Sequence, residues 1–140
     1  MSEPDIAAVT LDRAPAERFQ RLAGALGVGS FGVNLIALAP RQCNRIHAHR
    51  SQEEVYVVLE GELTLVVEGV ERRFGPDSVV RVGPAVRRQL VNAGGERVVL
   101  LALGGAGEHV GRDGAAWESW EEGGPGRPPQ EVAAPADLPA

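Results

Sequence analysis

A compact all-β fold is what this chain predicts, and three observations predict it. Short apolar runs recur between Gly, Pro and acidic turn residues, the pattern of strands in a small antiparallel fold. Hydrophobic residues make up 44% of 140 residues with only three Phe, two Trp and one Tyr, so the core is built of Val, Leu and Ala, which suit pleated surfaces. His47, His49, Glu54 and Gly61 stand in the pattern H-x-H-x4-E-x6-G, in which both histidines share one face of a strand because successive side chains alternate. The length suits one domain, with room for a core without disulfides or a structural metal, and no internal repeat interrupts it.

Residues 1–30 read as an N-terminal segment with a short amphipathic helix. Pro15 suits a first helical turn, Phe19, Leu22 and Leu26 recur at helical spacing, and Gly27 sits where a C-terminal cap belongs. Residues 31–38 follow as a strand with apolar residues on both faces, more apolar than a solvent-facing edge, as expected where one face meets the core and the other meets the helix or a partner chain. Residues 55–59 form the next apolar run, with Glu54 sharing a face with Tyr56 and Val58, and Glu60-Gly61 makes a tight turn. Residues 62–68 alternate at period two except at Val66 and predict a half-buried strand, closed by a turn at Gly69. Residues 79–82 are a strand leading into the turn Gly83-Pro84, and residues 98–103 are the last strong strand.

Beyond that strand the composition changes to Gly104-Gly105, Gly107, Gly111 and Gly114, and from Gly123 onward Pro, Gly and Ala dominate without periodicity. This predicts a C-terminal arm over residues 105–140, extended or disordered toward its end, with Trp117 and Trp120 pinning a short terminal element to the core. The barrel itself is expected over residues 31–104.

His47, His49 and Glu54 make a two-histidine, one-carboxylate set whose open positions suit Fe(II) and also accept Mn, Ni, Zn or Co. The alternative is a polar pocket without metal. Cys43 and Arg45 share the parity of the two histidines, so in an uninterrupted strand all four would line one face; a small buried core residue is the expectation for Cys43. Tyr56 is a candidate ligand contact or proton donor, or else a barrel-closing residue bonded to backbone. His109, in a loop past the last strand, is expected at the surface unless it folds back over the barrel mouth.

The stretch from Arg45 to Leu65, containing IHAHRSQEEVYVVLEGELTL, resembles the first motif of the cupin superfamily, whose members hold a divalent metal with two His and one Glu inside a jelly-roll β-barrel. The family's motif opens with a Gly where this chain has Arg41. The second motif, G-x5-P-x-G-x2-H-x3-N, aligns on Asn92 and places Asp77 and Ala85 at the glycines, Gly83 at the proline and Arg88 at the fourth metal ligand. The resemblance implies a cupin-type jelly-roll barrel with a short N-terminal helix and an extended C-terminal arm. It also implies His47, His49 and Glu54 as metal ligands.

Arg88 is where the chain departs from the family. A guanidinium cannot ligate a cation and stays charged, so it fits beside a metal only with an anion present. Two roles follow: Arg88 binds an anionic substrate, with Tyr56 as a second contact, or it pairs with Glu54 and replaces the metal. Gln89 reaches inward only by a one-residue slip that would reverse every facing in its strand.

The remaining signals exclude functions more than they assign them. A net charge of −5 argues against a nucleic-acid surface, and all fourteen basic residues are Arg. No run is long enough to cross a membrane, the start MSEPDIAAVT has neither the basic nor the apolar region of a signal peptide, and a single Cys agrees with a reducing compartment, so the expectation is a cytoplasmic protein. Gly104-Gly105-Ala106-Gly107 lacks the spacing of a phosphate-binding loop. Two functions stay open: a metal-dependent oxygenase or isomerase acting on a small polar or anionic molecule, and a non-catalytic binder of a small ligand, with or without metal. A homodimer is expected, through an edge strand and the terminal segments.

Overall fold

The computed structural model describes residues 4–105 and 113–139, and within them the backbone forms two five-stranded antiparallel sheets packed face to face. With strands numbered in chain order, the first sheet runs β1 (Phe19–Arg21), β2 (Gly32–Leu38), β9 (Val98–Gly105), β4 (Glu53–Glu60) and β7 (Val79–Val82). The second runs β10 (Gly114–Trp117), β3 (Ile46–His49), β8 (Arg88–Val91), β5 (Leu63–Val67) and β6 (Val70–Phe74). Alternation along each strand sends Ile36, Leu38, Tyr56, Val58, Val98, Leu100 and Ala102 inward from one sheet to meet Leu63, Leu65 and Leu90 from the other. The all-β jelly roll expected from the sequence is the observed architecture. β1 and β10, both from outside residues 31–104, supply one edge strand of each sheet.

The N-terminal helix is much shorter than the spacing predicts. α1 covers only Ala23–Leu26, ended by Gly27 in the left-handed region at φ 72°, while Phe19 lies in β1, paired with Ile36. Positive φ at Glu17 (59°) and Arg18 (67°) breaks any helix that would run on from Pro15, and strand pairing takes the next three residues. Leu22, with Leu11 and Leu26, still covers Val33, Leu35 and Ala37. β2 is therefore an interior strand whose outer face is met by the chain's own N-terminal segment, which explains its apolarity without a partner.

β5 departs from the half-buried expectation: Leu63, Thr64, Leu65 and Val66 are all buried. The reason lies far away in sequence. After β10 the Arg87 guanidinium sits over the rings of Trp117 and Trp120 at 4.8 and 5.3 Å and donates to the carbonyls of Trp120 and Glu122. The chain then crosses the outside of the second sheet as an extended strap. Val132 is buried and its carbonyl accepts from Arg45 Nε at 2.7 Å, and Leu138 N donates to the Arg41 carbonyl at 2.7 Å. Leu138 and Trp120 pack on Cys43, Val66 and Val91. This covered face also corrects the parity argument for Cys43. β3 begins only at Ile46, so Cys43 turns outward under the strap, where burial pushes its thiol pKa up despite the nearby Arg18 charge.

Candidate metal centre

The three motif residues meet because two strands adjacent in sequence belong to different sheets. β3 in the second sheet carries His47 and His49, whose neighbours Ile46 and Ala48 point the other way and pack on Ala115 and Trp117. β4 in the first sheet carries Glu54 and Tyr56 inward. The turn joining them is held by Asp113: its Oδ2 accepts from the backbone N–H of Ser51 at 3.0 Å and of Gln52 at 2.9 Å. Burial would raise the Asp113 pKa, but these backbone donors outweigh it and hold the carboxyl below its ordinary range.

One ligand atom from each of His47, His49 and Glu54 lies within 4.8 Å of the others. His47 Nε2 is 3.7 Å from Glu54 Oε1, and His49 Nε2 is 3.5 Å from Glu54 Oε2. Atoms so spaced can each sit about 2.0–2.2 Å from one cation, so the set fits a divalent transition metal. His47 Nδ1–H donates to the Arg45 carbonyl at 2.9 Å, which fixes the ring and turns Nε2 toward the centre, where it would ligate a metal once deprotonated. Burial alone would raise the Glu54 pKa. Hydrogen bonds from His47 and His49, and the charges of His47 and Arg88, reverse that and hold it well below the usual carboxylate range.

Arg88 does project inward, directly opposite His47 in the pairing of β3 with β8. It is completely buried, and Nη2 donates to Glu54 Oε1 at 2.9 Å. Neither Arg88 nor Tyr56 is among the residues lining the adjacent cavity of about 210 Å³. Of the two roles open to Arg88, the structure shows the ion pair: a buried guanidinium needs a carboxylate partner, and Glu54 takes that place inside the core. The Tyr56 hydroxyl donates to the same Glu54 oxygen, and burial, together with the Glu54 charge, raises its pKa well above the ordinary value.

The cavity opens beside His49 and Glu54 and is walled by Asn34, Gln52, Asp113 and Gln130. None of these four stood out as a site residue in the sequence. Asn34 alone left a usable sign, as the one polar residue in the apolar run of β2 with the inward parity of Ile36 and Leu38. Gln130 comes from the strap, in a segment whose composition reads as featureless. Gln89 points away from the centre and donates to the Asn44 carbonyl. Asn92 is fully buried and ties the turn before β9, its Nδ2 donating to the carbonyls of Leu38 and Glu96. His109 lies outside the described residues.

The sequence model of the family described as "Cupin domain" (Cupin_2) matches residues 34–104. A solved sugar phosphate isomerase from a cupin superfamily, from Silicibacter pomeroyi DSS-3, is 27% identical with a TM-score of 0.63, covering 81% of this chain and 76% of its own. A candidate sugar phosphate isomerase from Acidithiobacillus ferrooxidans ATCC 23270 is 28% identical with a TM-score of 0.59, covering 66% of this chain, which spans 58% of that protein. A Cupin 2 conserved barrel domain protein from Salinispora arenicola CNS-205 is 27% identical with a TM-score of 0.61, covering 70% and 87% of the two chains. No curated protein matches the chain.

Proposed function

The chain belongs to the cupin domain family, and from that premise we propose that it is a metal-binding protein in which His47, His49 and Glu54 hold a divalent transition metal, one of Fe, Mn, Zn, Ni or Co, facing a small polar molecule in the cavity. The observation that carries this reading is the convergence of the three ligand atoms beside the cavity that His49 and Glu54 line, with His47 held in the ligating orientation. A bound metal would act there as a Lewis acid on a carbonyl or hydroxyl oxygen. The chain's own groups would do the rest: Asn34, Gln52 and Gln130 present amides to a polar ligand, and Asp113 keeps the turn after His49 closed. Isomerisation is the reaction class favoured by the two relatives of 27–28% identity.

A second reading, a metal-free binder of a small ligand, is favoured by the Arg88–Glu54 ion pair, which already neutralises the one carboxylate in the set. Elemental analysis of protein purified without chelators, with an anaerobic Fe(II) titration, separates the two. Stoichiometric metal that is lost in His47→Ala is the expected result; a wild-type protein that takes up none of these metals would leave the binder.

The reading extends to a homodimer in the cytoplasm. The N-terminal segment covers only part of the outer face of the first sheet, leaving Val55 and Val57 half-buried and Val79 67% exposed, an apolar patch suited to a second copy. No helix among the described residues is long and apolar enough to cross a membrane. Light scattering at micromolar concentration should report twice the chain mass, and a monomer there would remove the dimer.

A further inference from the structure

The two oxygens of Glu54 live in different surroundings. Oε1 accepts from Arg88 Nη2 at 2.9 Å and from the Tyr56 hydroxyl, while that hydroxyl accepts in turn from Arg88 Nε at 3.2 Å. These three hydrogen bonds close a ring. The ring is tied to the backbone, because Arg88 Nη1 donates to the Val86 carbonyl at 2.8 Å. Oε2 stands outside it, 3.5 Å from His49 Nε2, whereas Oε1, although 3.7 Å from His47 Nε2, already accepts the two hydrogen bonds of the ring. A single ion pair would leave a carboxylate free to turn about its axis, whereas two donors from different strands on one oxygen fix both its position and its rotation.

We propose that Arg88 and Tyr56 are positioning residues, a clamp on Oε1 that leaves Oε2 as the one Glu54 oxygen offered to a cation between His47 and His49. The proposal rests on the metal-binding reading for its consequences but not for its geometry. The clamp keeps the carboxylate aimed and charge-balanced when no cation is bound. It also limits affinity, since it withholds the second oxygen and sets a positive guanidinium behind the first. The residue that stands in the place of a ligand thus acts through Glu54 rather than on the metal or the substrate.

Full-length wild-type protein, Tyr56→Phe, Arg88→Lys and Arg88→His, each titrated with Zn2+ and with Co2+, provide the test. Tyr56→Phe removes one hydroxyl from the ring and should bind Zn2+ about tenfold more tightly, the equivalent of one net hydrogen bond. Its Co2+ visible spectrum should change as the freed oxygen joins the coordination. Arg88→Lys keeps the charge but loses the fork, so it should share the spectral change. Arg88→His removes the charge and adds an imidazole, and should bind most tightly. Wild-type affinity and an unchanged Co2+ spectrum in all three variants would overturn the clamp while metal binding stands. Tyr56 is the one tyrosine of the chain, so its near-UV band reads the ring directly in metal-free protein. A band that shifts in Arg88→Lys supports the clamp even if no metal binds, and an unmoved band overturns it.

Discussion

Arg88→Ala is expected to lower the free energy of unfolding by about 3–5 kcal/mol, the range for breaking a buried ion pair from one side. Arg88 has no exposed surface, and its loss would leave Glu54, whose side chain is 14% exposed, without its guanidinium partner. It would also leave the Val86 carbonyl without its Arg88 donor and open a void beneath Tyr56. Urea unfolding followed by Trp fluorescence measures the effect, with the slope checked so that a change in midpoint is read as stability. The companion experiment is the double substitution Arg88→Met with Glu54→Gln, which removes both charges and should recover most of the loss, because an apolar or neutral replacement of a whole buried pair is often tolerated. A cost below about 1 kcal/mol for Arg88→Ala would mean that another group balances Glu54.

Gly61→Ala should be nearly as damaging, at about 2–5 kcal/mol. Gly61 sits at φ 76° in the connection where the chain leaves the first sheet for the second, and a Cβ there would stand 2.2 Å from the Arg97 carbonyl oxygen. The left-handed conformation costs a side chain about 1–2 kcal/mol, and relieving the clash against backbone adds about 1–3 kcal/mol. Thermal denaturation would show a large fall in midpoint. The reverse substitutions provide the control: Arg41, Asp77 and Ala85 adopt φ of 73°, 70° and 64° with side chains in place. Asp77→Gly and Ala85→Gly should therefore be neutral or stabilising by up to about 1 kcal/mol, as relief of the left-handed strain is partly offset by a freer unfolded chain. Marked destabilisation in these two would show that their side chains, and not the turns, hold the loops.

Those three positions show how the motif outline is written in backbone more than in residue type. They are the places where the second and first cupin motifs have glycine and this chain does not, and each keeps the left-handed turn that glycine would supply. The alignment on Asn92 was legible for the same reason, since the buried amide ties Leu38 to Glu96 whatever occupies the turns. At Glu68-Gly69 the match between composition and turn is simpler: both residues have positive φ, as the tight hairpin between β5 and β6 requires.

Local periodicity was enough for the central strands, for the shared face of His47 and His49, and for the common face of Glu54 and Tyr56, because strand alternation is a property of consecutive residues, whereas the inward direction of Arg88 came from the motif aligned on Asn92. Whatever depends on which strand lies beside or across from which was out of reach. That β3 and β4 part into different sheets, so that Glu54 faces the histidines across the barrel, is a matter of topology. The occupation of Arg88 follows from the same topology: substrate contact and ion pair are equally open to a lone arginine in a strand, and burial beside Glu54 and Tyr56 selects the pair. The helix from Pro15 failed because pairing with β2 outweighed a weak amphipathic spacing, and the burial of Val66 was hidden because its cover comes from the C-terminal strap. A side chain's facing is decided by its neighbours in the chain, whereas its partner is decided by loop closures spanning tens of residues, and these leave no periodic trace.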